Sequence, residues 1–143
     1  MANGDEVKTK GAAAEAAGSH FDAYVGTEWL SLDPDDARCK VAFRDELRQP
    51  YGILHGGVLC SVIESVASAS AAVWFDGPVV GTSNHTNFLK ATRSGVLTAR
   101  STPIHRGRSQ QLWEVDVTDE QGRLVAKGQV RLANLDNTEL GKS

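Results

Sequence analysis

The sequence predicts an α+β protein in which one helix packs on an antiparallel sheet. Three observations predict this class. Two short extended runs flank the turn cluster Asp33–Asp36, one apolar run from Val58 to about Val73 has helical periodicity, and four strand candidates follow it in succession. Because short polar turns separate these strands, neighbouring strands are expected to be antiparallel. The 143 residues suffice for one domain with its own core.

The predicted elements lie between two expected tails. We expect residues 1–18 and 137–143 to be loosely ordered and residues 19–136 to form the domain. A short helix through Phe21 and Tyr24 precedes a hairpin, whose turn is the Asp33–Asp36 cluster. After the long helix, the predicted strands are Val79–Lys90, Gly95–His105, Ser109–Thr118 and Arg123–Leu135.

Composition excludes several classes of function. A net charge of −3 argues against general binding of nucleic acid or anionic membranes. The N-terminus does not resemble a signal peptide, and we expect no membrane span, which needs about 18 apolar residues. The two cysteines, Cys39 and Cys60, form no disulfide framework, which favours a cytoplasmic location, and Cys60 has no basic partner that would make it a nucleophile. The four histidines lack metal-binding spacing and no G-x-S-x-G motif occurs, so neither a metal site nor a serine hydrolase is expected.

An isolated carboxylate marks the predicted long helix. The stretch Gln49–Phe75 contains one formal charge, Glu64. A helical wheel places Val, Leu and Ile on one half and small polar residues without Lys or Arg on the other, so we expect a helix buried on all sides. Glu64 then needs a partner, such as Ser68 one turn later, or a proton. Two interpretations remain open: a structural buried acid, or a functional group.

The start of this helix carries the sequence His55-Gly56-Gly57. Two glycines at a helix start are unfavourable by about 0.5–1 kcal/mol each relative to alanine. No Ser, Thr, Asp or Asn caps the start, so we expect its first N–H groups to be free to bind a phosphate or an oxyanion; tight packing or a turn is the alternative. Gly56 and Glu64 lie about 12 Å apart along one helix. They can act on one carbonyl only in a two-fold dimer with antiparallel helices.

These residues resemble a known family. "QPYGILHGGVLCSVIES", together with "SNHTNF", "PIHRGRSQQLWEVDV" and "DEQGRLVAKG", resembles hotdog-fold acyl-CoA thioesterases of the phenylacetate-degradation type, similar to 4-hydroxybenzoyl-CoA and 1,4-dihydroxy-2-naphthoyl-CoA thioesterases. The likeness extends from about Gly26 to Leu135. It implies a hotdog fold, in which a long central helix is wrapped by an antiparallel sheet of about six strands. It also implies a homodimer that pairs into a homotetramer.

The resemblance assigns roles to individual residues. Glu64 is the expected catalytic carboxylate, either as nucleophile or as general base. The N–H of Gly56 from the partner subunit polarises the thioester carbonyl, while His55 and Gln49 position the thioester and water and Ser68 orients the carboxylate. Further residues are expected to bind acyl-CoA: Gly81, Phe88, Leu89, Lys90, Ala91, His105, Arg106, Gly107, Arg108, Ser109 and Gln110, with Arg93 near the channel mouth.

The resemblance therefore implies an acyl-CoA thioesterase that acts on an aromatic or other bulky acyl group. No cofactor is expected, because coenzyme A is part of the substrate. Two departures concern specificity: Arg108 and Ser109 follow Gly107 where the hydroxybenzoyl type has Ser and Thr, and Phe88 stands where the naphthoyl type tends to have His. The alternative function is a non-catalytic acyl-CoA sensor, which would need an effector domain for which this chain has no room. The Asp/His arrangement of hotdog-fold hydratases is not found.

Overall fold

The computed structural model describes residues 19–136, and the two expected tails lie outside this range. The described part contains two α-helices, one 3₁₀ turn and six strands. In chain order these are α1 (His20–Val25), β1 (Glu28–Ser31), β2 (Ala37–Ala42), the 3₁₀ turn Asp45–Leu47, α2 (Gly56–Phe75), β3 (Val79–Phe88), β4 (Val96–Arg106), β5 (Gln110–Thr118) and β6 (Leu124–Asn134).

All six strands form one antiparallel sheet, in the order β1-β2-β4-β5-β6-β3. The helix α2 packs against one face of this sheet, which confirms the predicted α+β class and the hotdog arrangement. The last strand of the sheet is β3, which pairs with β6 on one side only. Most residues of β3 are therefore exposed.

The element boundaries differ from the predicted ones by one or two residues. The helix α2 begins at Gly56 rather than Val58, because the two glycines form its first turn. The strand β3 ends at Phe88 rather than Lys90, because the N–H groups of Leu89 and Lys90 both point to the carbonyl of Val125 and the regular ladder stops there.

The core lies between α2 and the sheet. Ile63 and Val66 of α2 are fully buried, as is Trp113 of β5. The indole N–H of Trp113 donates to Gln111 Oε1 at 2.8 Å, so the one polar group of the largest core side chain is satisfied. A Cβ at Gly128 of β6 would lie 2.9 Å from Ile63 Cγ2, so this glycine allows α2 to approach the sheet closely.

The second face of α2 is not buried within the described chain. Glu64 is exposed, and Ser61, Ser65 and Ser68 are half-buried, so the prediction of a helix buried on all sides is wrong for a single protomer. By length and composition alone, α2 would also qualify as a membrane span. Over 18 residues of α2 the mean hydropathy is 1.7, yet half of that window is buried inside the protein, as in a core helix of a folded domain.

Side-chain hydrogen bonds hold the short helix α1 against the middle of α2 and against the segment that follows β2. Ser65 Oγ of α2 donates to the buried carboxylate of Asp22 at 2.5 Å. The Arg44 guanidinium donates to the carbonyls of Val25, at 2.8 Å, and Tyr24. These contacts attach α1 to Ser65 in the middle of α2 and to Arg44.

Candidate active site

The N-terminus of α2 is capped by a histidine. The N–H of Gly57 donates to His55 Nδ1 at 2.8 Å, and the N–H of Val58 donates to the His55 carbonyl at 3.0 Å. The expectation that the first donors are free is therefore wrong for Gly57 and Val58. Within residues 19–136, the N–H of Gly56 has no acceptor. Sequence reasoning missed this cap because histidine is not among the common N-cap residues.

Close contacts explain both glycines of the His-Gly-Gly sequence. A Cβ on Gly56 would lie 2.5 Å from Cε2 of Phe88, whose ring covers this point of the helix. A Cβ on Gly57 would lie 2.9 Å from His55 Nδ1 and would displace the capping ring. The sequence left two interpretations of the glycines open, tight packing or free N–H donors. Both hold at Gly56, which permits a tight contact and also presents an unpaired N–H.

A cavity of about 320 Å³ opens beside Gly56. It brings together six residues that the sequence predicted for the site: Gln49, Gly56, Phe88, Leu89, Lys90 and Ala91. Four further residues line it, namely Ile53, Leu54, Leu59 and Thr92. No sequence signal separates these four from ordinary core residues, because a hydrophobic pattern does not distinguish a cavity wall from a packed interior.

Gln49 is fixed at this cavity by its own turn. Its side-chain oxygen accepts from the N–H of Tyr51, and its backbone N–H donates to the Ile53 carbonyl at 2.8 Å. The side-chain NH₂ has no partner among residues 19–136 and can donate to a ligand, and the oxygen keeps a second lone pair.

Glu64 lies on α2 against β3, away from Gly56. A Cβ on Gly81 would lie 3.4 Å from Glu64 Oε1, so Gly81 leaves room beside the carboxylate. The expected hydrogen bond from Ser68 is not formed, and within residues 19–136 Glu64 has no hydrogen-bond or ion-pair partner. The single protomer thus does not bring Glu64 and Gly56 together, since eight helical residues span about 12 Å.

Three contacts align α2 with the edge strand β3. The Phe88 ring lies on Gly56, Asn84 Nδ2 donates to the Cys60 carbonyl at 2.9 Å, and Gly81 lies beside Glu64. Positions 56, 60 and 64 are successive turns on one side of the helix. Both candidate catalytic groups therefore lie along the sheet edge that has no neighbouring strand in the described chain.

The predicted phosphate-binding turn, residues 105–110, lies at the other end of α2. Arg106 contacts Trp74 near the C-terminus of α2, with its guanidinium 5.5 Å from a ring centroid. It also pairs with Asp35 at 2.7 Å and is therefore already engaged. The turn is fixed by Asn134 Nδ2, which donates to the carbonyls of Gly107 at 2.9 Å and Arg108 at 3.0 Å.

The remaining predicted ligands of the turn differ in availability. Arg108 is exposed, and its guanidinium has no partner among residues 19–136. Ser109 is exposed as well, whereas Gln110 Oε1 accepts from Arg131 at 2.8 Å. The His105 ring lies over Gly107, where a Cβ would be 2.6 Å from Nε2. Arg108 is the cation of this turn that a phosphate could reach.

Lys90 and Arg93 border a second, polar cavity of about 360 Å³ that adjoins the first. Lys90 pairs with Asp119 at 3.2 Å, and Arg93 is exposed, with a contact of 3.5 Å to the Tyr51 carbonyl. Residues 19–136 contain no group of three or more His, Cys, Asp or Glu side chains that could hold a metal ion.

Comparison with known proteins identifies the family. Residues 51–126 match the model of the thioesterase superfamily, which is just over half of the chain. A Mycobacterium tuberculosis protein, provisionally named an esterase, is 46% identical over 121 residues, which are 81% of this chain and 86% of that protein. A 1,4-dihydroxy-2-naphthoyl-CoA hydrolase of Listeria monocytogenes is 33% identical over 111 residues, 76% of this chain and 90% of that enzyme.

Solved structures agree with this assignment. AziG of S. sahachiroi is 48% identical and superimposes with a TM-score of 0.80 over 82% of this chain and 97% of its own. A Haemophilus influenzae thioesterase is 29% identical, with a TM-score of 0.80 over 85% of this chain and 87% of its own. The chain therefore belongs to the thioesterase superfamily and is a thioester hydrolase with the hotdog fold.

Proposed function

We propose that the protein hydrolyses acyl-CoA thioesters whose acyl group is aromatic or otherwise bulky. Its family membership supports thioester hydrolysis, and relatives named 1,4-dihydroxy-2-naphthoyl-CoA hydrolase support a CoA ester with an aromatic acyl group. The cavity beside Gly56 supports this choice, because Leu59, Phe88 and Leu89 give it apolar and aromatic walls. Catalysis by Glu64 and Gly56 requires two subunits.

One observation carries this proposal: Gly56 and Glu64 lie symmetrically about Cys60 on the side of α2 that faces β3. The carbonyl of Cys60 accepts a hydrogen bond from the side chain of Asn84, which lies near the middle of β3, Val79–Phe88. A single two-fold axis through this point would pair the two β3 edges antiparallel. The same axis would set Gly56 opposite Glu64 of the partner subunit.

The surface around this axis supports a homodimer. An unpaired edge strand is a template for pairing with another chain. The side chains of Val80, Phe88 and Leu89 in or beside β3 are 48%, 55% and 56% exposed. Along α2, Ser61 and Ser68 are small enough to let a partner helix approach closely. The further pairing of dimers into a homotetramer is an expectation from the resemblance alone.

In this arrangement the thioester carbonyl accepts a hydrogen bond from the N–H of Gly56. The positive end of the α2 dipole stabilises the negative charge that develops on its oxygen. The carboxylate of Glu64 from the partner subunit either attacks the carbonyl carbon or removes a proton from an attacking water. Both routes consume one water, break the C–S bond and release a carboxylic acid and the CoA thiol. Gln49 lies at the same end of α2 and orients the thioester and the water, while His55 caps the helix.

The CoA moiety has a corresponding path. Trp74 is 14 residues from Cys60, and Gly56 is four residues from Cys60 in the opposite direction. Because the two-fold axis passes through Cys60 and the helices are antiparallel, Trp74 of the partner subunit would lie beyond the N-terminus of α2, about 15 Å from Gly56 along the helix axis. The extended pantetheine arm of CoA spans such a distance. Arg108 and Ser109 of the partner subunit would then bind the nucleotide phosphates, while Lys90 and Arg93 border the channel mouth.

Thiol release from a panel of acyl-CoAs tests the proposed function. The panel contains benzoyl, 4-hydroxybenzoyl, 1,4-dihydroxy-2-naphthoyl, phenylacetyl and straight-chain CoA esters. We expect wild-type turnover to be fastest on one aromatic class and to fall by about 10³-fold or more in Glu64→Ala. Glu28→Ala is the matched control, because it removes an exposed carboxylate on β1, at the opposite edge of the sheet. Binding of CoA esters without Glu64-dependent release would indicate a non-catalytic sensor instead.

A further inference from the structure

We infer that His55 is a positioning residue, which fixes the direction of the Gly56 N–H by capping α2, and that only its neutral ring can do so. This inference rests on the proposed function of Gly56 as the donor to the thioester carbonyl. It assigns His55 an action through the helix rather than a direct contact with the substrate.

The cap leaves one donor at the helix start. His55 has extended backbone dihedrals (φ −63°, ψ 132°), and its ring folds back over Gly57. Its Nδ1 accepts a hydrogen bond from the N–H of Gly57, and its carbonyl accepts one from the N–H of Val58. Without the ring, Gly57 would have no partner, and a first turn of two glycines would have little to oppose fraying. The direction of the Gly56 N–H depends on that turn.

The same hydrogen bond specifies the protonation state of the ring. Because Nδ1 accepts a hydrogen bond, the neutral imidazole carries its proton on Nε2. A second proton on Nδ1 would place two donors, Nδ1–H and the N–H of Gly57, against each other. It would also place a positive charge at the positive end of the α2 dipole. The neutral ring is therefore the form that caps α2.

The surroundings of His55 include titratable groups of its own subunit and, in the proposed dimer, Glu64 of the partner subunit. Its ring is exposed at an apolar cavity of about 360 Å³ between α1, the 3₁₀ turn and α2. The titratable groups lining this cavity are Tyr24 of α1 and Glu46 and Arg48 at the 3₁₀ turn. The first turn of α2 has no acidic residue, and Glu46 pairs with Arg44 at 3.6 Å.

Two substitutions of His55 separate capping from substrate contact. In His55→Asn, Oδ1 stands two bonds from Cβ, as Nδ1 does in histidine, and asparagine is among the best N-cap residues but does not titrate. At pH 8 we expect His55→Asn to keep kcat within a few-fold of wild type. His55→Ala should lose about 10- to 100-fold in kcat with little change in KM.

Gly57→Ala provides a second route to the same defect, because its Cβ would lie 2.9 Å from Nδ1 and displace a ring that is still present. Its kcat should fall as in His55→Ala, with circular dichroism verifying the fold of each variant. Equal losses in His55→Asn and His55→Ala with raised KM would overturn the inference, as would an unaffected His55→Ala. The proposed function fails separately, if wild-type release does not depend on Glu64.

Discussion

The two faces of α2 differ sharply in how much of each is buried within one protomer. On the face toward the sheet, Leu59, Ile63 and Val66 are at most 4% exposed and belong to the core. On the face along the edge strand β3, Glu64 is exposed, and the residues around it are small and carry no positive charge. The first face follows from a hydrophobic pattern that a single chain can satisfy. For the second face we propose a partner helix and a substrate as the missing contacts.

Substitutions of the adjacent residues Ile63 and Glu64, one on each face, should affect stability and activity separately. Glu64→Gln should lower kcat by about 10³-fold, or about 4 kcal/mol, and change the free energy of unfolding by less than about 0.5 kcal/mol, as expected for an exposed residue. Ile63→Ala should instead lower the free energy of unfolding by about 2–5 kcal/mol, because it leaves a cavity against the sheet. The folded fraction of Ile63→Ala should retain near-normal kcat.

Urea unfolding and thiol release, measured on both variants, check this pair. A destabilisation of more than about 2 kcal/mol in Glu64→Gln with retained turnover would favour the structural buried acid, the interpretation that the sequence left open.

The contact between Gly56 and Phe88 should produce the next largest effect. In Gly56→Ala the new Cβ would meet the Phe88 ring at 2.5 Å, so either the ring or the start of α2 must move. We expect kcat to fall about 10- to 100-fold. The double variant Gly56→Ala/Phe88→Ala removes the clash and should recover part of this loss in a double-mutant cycle. A double variant no more active than Gly56→Ala would show that Phe88 does not cause the defect.

The smallest effect concerns the loop between β5 and β6, away from both faces of α2. Burial by itself raises the pKa of Asp119, but hydrogen bonds from Arg123, Lys90 and Gln121 outweigh it and lower the pKa from 3.8 to about 2. A carboxyl group with a lowered pKa stabilises the fold above its ordinary pKa, and this contribution is lost between about pH 4 and pH 2. Asp119→Asn should thus be less stable at pH 7.

Urea unfolding at several pH values measures the difference between wild type and Asp119→Asn. The difference should shrink as the pH falls below about 4. A difference that is the same at pH 7 and pH 2 would show that the charge of Asp119 does not contribute.

Local patterns in the sequence predicted the elements and marked the centre of the site. The apolar periodicity of α2 and the turns between strands are local signals, so the fold class and most boundaries are confirmed to within two residues. The isolated charge of Glu64 and the paired glycines also stand out locally, because each is costly in the element where it occurs.

The unpredicted features depend on tertiary contacts. Phe88 reaches Gly56 from 32 positions away in the sequence, and Arg106 pairs with Asp35 across 71 positions. Capping by His55 depends on a rotamer that the sequence does not reveal. The exposure of Glu64 went unpredicted because the small, uncharged residues around it have the composition of a buried face.

Subunit complementation tests most directly whether Gly56 and Glu64 act across a dimer. Glu64→Gln and Gly56→Ala are each purified, then unfolded and refolded together at equal concentrations. In a mixed dimer one site carries both substitutions and the other carries neither. Because half of the dimers should be mixed, about a quarter of wild-type activity should return, well above that of either variant refolded alone. Activity no higher than the mean of the two variants, with mixed dimers present by mass spectrometry, would place both residues in one subunit's site and contradict this account.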